Sequence, residues 1–173
     1  MRRRAVILRD AHHEAGHAAV ALTLGHPVAS VRVVPEGRDV LGGRTQVFYG
    51  FGVPSARDRA DRMIELLAGD VAEGRYLREQ GLDNWSHGAR HVMEVAQALG
   101  LWDAGDTEGR VRRLLDEAGA YVHACWADIG RMAALISRPP YALYQLTPDW
   151  LSADGLPDGC AASGQTLAGG MRQ

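Results

Sequence analysis

The sequence predicts an α+β, mostly helical domain with one small sheet or hairpin in its N-terminal third and a helical bundle after it. Three observations predict this. Long segments carry apolar residues at three- and four-residue steps, the β-branched runs are short and fall before residue 50, and glycine or proline closes most segments.

The first helix is expected over Val6 to Leu24, where Leu8, Ala11, Ala15, Ala18, Ala19 and Leu22 recur at helical spacing and Gly25-His26-Pro27 ends the run. Val28 to Val34 is rich in β-branched residues and reads as a strand, followed by the turn-forming Pro35-Glu36-Gly37. Arg44 to Tyr49 is the second strand candidate, with Leu41-Gly42-Gly43 suggesting a hairpin or an irregular approach. A second helix is expected from Ser55 to Gln80, with Gly81 as its stop. A third is expected from Trp85 to Leu99, and a fourth from Thr107 to Ser137, closed by Pro139-Pro140. Thr147 as N-cap and Pro148 at the first helical position announce a short last helix. The domain is taken as residues 1–154. The Gly-, Ala- and Ser-containing stretch 155–173 reads as a flexible tail.

Composition excludes several classes of function. The 173 residues carry a formal net charge of −2. That balance gives no electrostatic basis for binding nucleic acid or an anionic membrane. No window approaches the ~20 apolar residues of a membrane-spanning helix. The basic start Met1-Arg2-Arg3-Arg4 is followed by too short an apolar stretch for a signal peptide, because Arg9 and Asp10 interrupt it. Only two cysteines occur, Cys125 and Cys160, so a cytoplasmic setting is expected rather than a disulfide framework.

The chemistry concentrates in His13-Glu14-Ala15-Gly16-His17. Histidines four apart on a helix project from one face, and two such imidazoles can occupy adjacent positions around one Zn²⁺. Glu14, one residue after the first ligand, lies beside the metal rather than on it. It can then act as general base toward a zinc-bound water that attacks a carbonyl. Gly16 costs about 1 kcal/mol relative to alanine in a helix interior, so close approach of another backbone is expected there. His12 lies about 100° from His13 around the helix and cannot share the ligand face.

The segment Ala11 to Leu22 resembles the HEAGHA segment of the FtsH-type zinc metallopeptidases. Val28 to Gly43 resembles that family's short strand and Leu-Gly stretch, and Leu67 to Glu73 resembles its Gly-Gly-x-x-Ala-Glu helix. The likeness extends over about residues 5–151. It implies a zincin-like fold, zinc as cofactor, and metalloendopeptidase activity on peptides or unfolded protein segments. These 173 residues contain no AAA ATPase module and no membrane anchor, so the expectation is a stand-alone domain acting as a homo-oligomer or through a separate recruiting partner.

The resemblance also implies an acidic third ligand at the start of the helix after the Ala-Glu helix. Counted without gaps from Met93-Glu94-Val95-Ala96, that position falls on Gly88, which cannot bind zinc. A small insertion brings Asp83 there, with His87 as the alternative ligand. His87 and His91 are themselves four apart and could form a second metal face or line the groove, and His91 is expected at the surface. The resemblance places Glu73 near the zinc, where it could accept the free ring N–H of a ligand histidine. Gly43, Arg44 and Thr45 are the substrate-binding candidates, on a strand whose free edge could pair with an extended peptide. Two other functions are compatible with the sequence. One is a degenerate peptidase-like module that binds peptides or a partner protein, suggested by the irregular 83–88 stretch. The other is a zinc hydrolase dedicated to one regulator or to a non-peptide amide.

Overall fold

A computed structural model describes residues 2–36, 40–50, 53–82, 90–102 and 106–151. Its elements in chain order are α1 (Arg2–Thr23), β1 (Val28–Glu36), β2 (Val40–Val47), α2 (Ala56–Glu79), α3 (Arg90–Trp102), α4 (Thr107–Ala124), α5 (Trp126–Ile136) and β3 (Ala142–Leu146), followed by a 3-10 turn over Pro148–Leu151. The mostly helical α+β class expected from the sequence is the one observed.

The antiparallel sheet has the order β2-β1-β3, so β2 and β3 are its edges. Helix α1 runs through the centre of the domain and packs against α2, α5, β1 and β2. Its interior face is built from small residues: Ala11, Ala15, Ala18 and Ala19 are fully buried. They let α2 approach α1 closely. A Cβ built on Gly16 would stand 2.7 Å from the Ala68 carbonyl oxygen and 2.7 Å from the Cβ of Ala72, one turn further along α2. The close backbone approach anticipated at Gly16 is therefore present. Gly16→Ala would gain about 1 kcal/mol of helix propensity, but it forces two backbones apart, a cost of about 1–3 kcal/mol. The clash should win, and we expect a net loss on the order of 1 kcal/mol, read as a lower denaturation midpoint.

Helix α2 begins where the sequence indicates. Ser55 caps it: its hydroxyl accepts the Asp58 N–H at 3.0 Å, while the Asp58 carboxylate accepts the Ser55 N–H at 2.8 Å.

Three expectations need correction. The fourth helix is two helices, α4 and α5, which meet at Cys125. The apolar steps through Val122, Cys125, Ile129 and Met132 continue across the junction, so periodicity cannot reveal it. β2 starts at Val40, before the expected Arg44, and ends at Val47. Its two glycines weaken strand propensity, yet a side chain at Gly43 would collide with Glu14. β3 has no strong strand signal of its own and exists through pairing with β1, with Val28 opposite Leu146 and Val31 opposite Leu143. The short last helix starts at Pro148 as expected and is of the 3-10 type, closed by the Trp150 N–H on the Thr147 carbonyl at 2.9 Å. The expected start of the third helix at Trp85 and the tail 155–173 lie outside the described residues.

Candidate metal centre

Three helices deliver side chains to one point. α1 supplies His13, Glu14 and His17, α2 supplies Glu65, Gly69, Asp70 and Glu73, and α3 supplies His91. The Nε2 atoms converge: His13 Nε2 lies 3.0 Å from His17 Nε2 and 3.2 Å from His91 Nε2. Each ring is held from behind through Nδ1. That of His13 faces Glu73 Oε2 at 3.0 Å. That of His17 faces the Glu65 carbonyl at 2.8 Å and Glu65 Oε1 at 3.3 Å. That of His91 faces Glu94 Oε2 at 3.2 Å. In a neutral ring these acceptors favour the proton on Nδ1, which turns the Nε2 lone pair toward the other rings.

Such an arrangement fits a cation. Lone pairs at about 3 Å repel unless a proton or a metal cation stands between them, and a cation can take the place of the proton that His17 otherwise carries. Tetrahedral Zn²⁺ with Zn–N of about 2.0–2.1 Å sets its ligand nitrogens roughly 3.3 Å apart, close to the two separations found here. The surrounding carboxylates of Glu14, Glu65, Asp70 and Glu73 favour positive charge in the same place. Their effect is visible at His17. Burial alone would lower its pKa, but the hydrogen bonds and charge of Glu65, with the charge of Glu14, raise it to about 9. Burial and the neighbouring His17 hold His91 below the usual histidine range. Gly69 makes room for the cluster, because a Cβ there would lie 2.3 Å from His17 Nε2.

His13 Nδ1, Asp70 and Glu73 also lie within 4.8 Å of one another. Here the ring nitrogen already faces a carboxylate, so this group reads as support behind the ring. Arg9, whose Nε is 3.6 Å from Glu73 Oε1, balances its charge. Asp70 has a further task. Its Oδ2 accepts the His91 backbone N–H at 3.1 Å, satisfying a first-turn amide of α3 and fixing where His91 enters.

Glu14 is buried beside β2. Its Oε2 accepts the Thr45 hydroxyl at 2.8 Å, and its carbonyl lies 3.0 Å from the same hydroxyl. Gly43 and Thr45 are thus brought to Glu14. Arg44 is exposed and stands opposite Arg32 on β1. His12 points away from the cluster: its Nδ1 donates to the Leu8 carbonyl at 2.6 Å, and its ring stacks on Tyr76 at 4.1 Å.

Asp83 and His87 lie outside the described residues, so the structure does not bear on either as a ligand. The surface position expected for His91 is corrected. Its side chain is 15% exposed and stands in the cluster. A signal for this was available: His91, Val95 and Leu99 are four apart, and Val95 and Leu99 are the buried stripe of α3. Glu65 was missed in the same way, lying on the interior face of α2 with Asp61, Ala68 and Ala72.

No protein-family model matches the sequence. A stretch of 113 residues is 34% identical to the ATP-dependent zinc metalloprotease FtsH of Burkholderia pseudomallei (strain 1710b), which suggests a related domain. The match takes in 57% of this chain and 16% of the length of that relative. Among the described residues no helix is long and apolar enough to cross a membrane.

Proposed function

We propose that this chain is a zinc-dependent metallopeptidase that hydrolyses peptide bonds in exposed or unfolded protein segments. The observation that carries this reading is the convergence of the three Nε2 atoms of His13, His17 and His91, each backed at Nδ1 by an acceptor, with the Glu14 carboxylate beside them. The partial likeness to a protein named as a zinc metalloprotease points the same way. In this reading His13, His17 and His91 hold zinc, and Glu73, Glu65 and Glu94 orient their rings.

Bound zinc would supply Lewis-acid polarisation of the scissile carbonyl and a water of lowered pKa. The rest falls to the chain's own groups. Glu14 takes the proton of the attacking water and returns it to the leaving amine. Thr45 holds one oxygen of that carboxylate and so sets its direction. An extended substrate pairs with the outer edge of β2, which no strand among the described residues takes up, where Gly43 to Thr45 run past Glu14. Such backbone pairing is weakly selective for sequence.

The test is cleavage of an unfolded protein and of a broad peptide library by the zinc-loaded chain. We expect cuts that a chelator abolishes and added zinc restores. A chain that retains zinc yet cuts no library member would replace the peptidase reading with that of a binding module or of a hydrolase dedicated to one target.

A further inference from the structure

Beyond the ring of ligands, Tyr49 reaches the centre through Glu65. The tyrosine hydroxyl donates to Glu65 Oε2 at 3.0 Å. The other oxygen of that carboxylate, Oε1, lies 3.3 Å from His17 Nδ1. The tyrosine is fixed in turn from its far side. Its ring lies 4.6 Å from the His26 ring, and His26 Nε2 is bound to Asp61 Oδ2 at 2.9 Å. Arg62 stands over the same ring at 5.7 Å. Asp61 and Glu65 are one turn apart on α2, and both are buried. The line from His26 to His17 is therefore a continuous run of hydrogen-bonded groups and one tilted ring contact beside α2.

We infer that Tyr49 is a positioning residue for the metal centre: by fixing the Glu65 carboxylate it sets the ring orientation and donor strength of His17, and it ties the end of β2 to that ligand. The inference rests on the zinc reading above. Three features support it. A carboxylate facing a ligand histidine orients the ring only if it is itself held, and the Tyr49 hydroxyl is what holds Oε2. Tyr49 follows β2 by two residues, so the contact joins the edge strand carrying Gly43 to Thr45 to the helix that backs the ligands. A tyrosine is also a suitable clamp for this task. Burial and the adjacent carboxylate drive its own pKa far up, so it stays a neutral donor at every working pH.

The Glu65 backbone carbonyl also accepts from His17 Nδ1, at 2.8 Å, so loss of the tyrosine hydroxyl should leave the ligand in place but less well aimed. The experiment uses the full chain as wild type, Tyr49→Phe and Tyr144→Phe, the last an exposed tyrosine on β3. Zinc affinity is measured by competition with a chromophoric chelator, the visible absorption of the cobalt-substituted protein is recorded, and melting of the metal-free protein is followed. Tyr49→Phe should bind zinc about tenfold more weakly, at the low end of the 10- to 100-fold typical for such partners. Its cobalt spectrum should shift, its metal-free melting should fall by less than the loss of zinc affinity corresponds to, and Tyr144→Phe should match wild type throughout. Equal zinc affinity and an unchanged cobalt spectrum in Tyr49→Phe would overturn the inference. So would an affinity loss matched by an equal loss of metal-free stability, which marks a merely structural role. Failure of the wild type to bind zinc would overturn the metal reading itself, and it is seen in a separate arm.

Discussion

Glu14→Gln is expected to bind zinc as the wild type does and to lose hydrolysis by a factor of about 10²–10⁴, the usual contribution of a positioned general base. Glutamine keeps the size of the side chain and an oxygen to accept the Thr45 hydroxyl, so the contact that holds position 14 against β2 survives. What it removes is the ability to take a proton. Glu14 is buried against Gly43 and Thr45, so a water-filled substitute for the base has little room. The decisive pair of measurements is metal content and turnover on the same preparation. Wild-type turnover in Glu14→Gln would remove Glu14 from the mechanism. Loss of zinc together with turnover would mean that its role is to shape the site rather than to move a proton.

The second large effect is expected at His91. Loss of an outer partner of a ligand weakens metal binding 10- to 100-fold, and loss of a ligand should cost more than that. His91→Ala should therefore bind zinc at least about 100-fold more weakly, with hydrolysis falling in parallel. The change truncates a side chain at the rim of α3, while the buried Val95 and Leu99 beneath it remain, so the fold should persist. Asp83→Ala, made beside it, distinguishes the two candidates for the third position. Zinc lost with Asp83→Ala and kept with His91→Ala would restore the carboxylate that the family resemblance implies.

Much of this site can be read from the sequence because it is local. His13, Glu14 and His17 lie within two turns of one helix, and helical spacing alone puts both rings on one face. The close approach at Gly16 is legible for a similar reason, since a glycine inside a strong helix asks for an explanation and the carbonyl of Ala68 supplies it. For Glu73 the family likeness supplies the expectation of a place near a ligand histidine, and its Oε2 lies 3.0 Å from His13 Nδ1. The remaining parts are not local. His91 joins the cluster across 78 residues of sequence, and its direction depends on how α3 docks against α2. The docking is set in part by Asp70 accepting the His91 amide, a contact between side chain and backbone that leaves no periodic trace. Tyr49 and Glu65 meet because the residues that follow β2 reach the interior face of α2, which neither segment announces alone. β3 likewise appears only once β1 offers it an edge.

If His13, His17 and His91 form a zinc centre, the purified chain holds the metal, and its metal content decides the matter. After reconstitution with zinc and exchange into metal-free buffer, the wild type is expected to retain about one zinc per chain, removable by chelator. A chain that retains no zinc under these conditions would contradict the account, leaving the three imidazoles as a polar cluster without a metal to organise them.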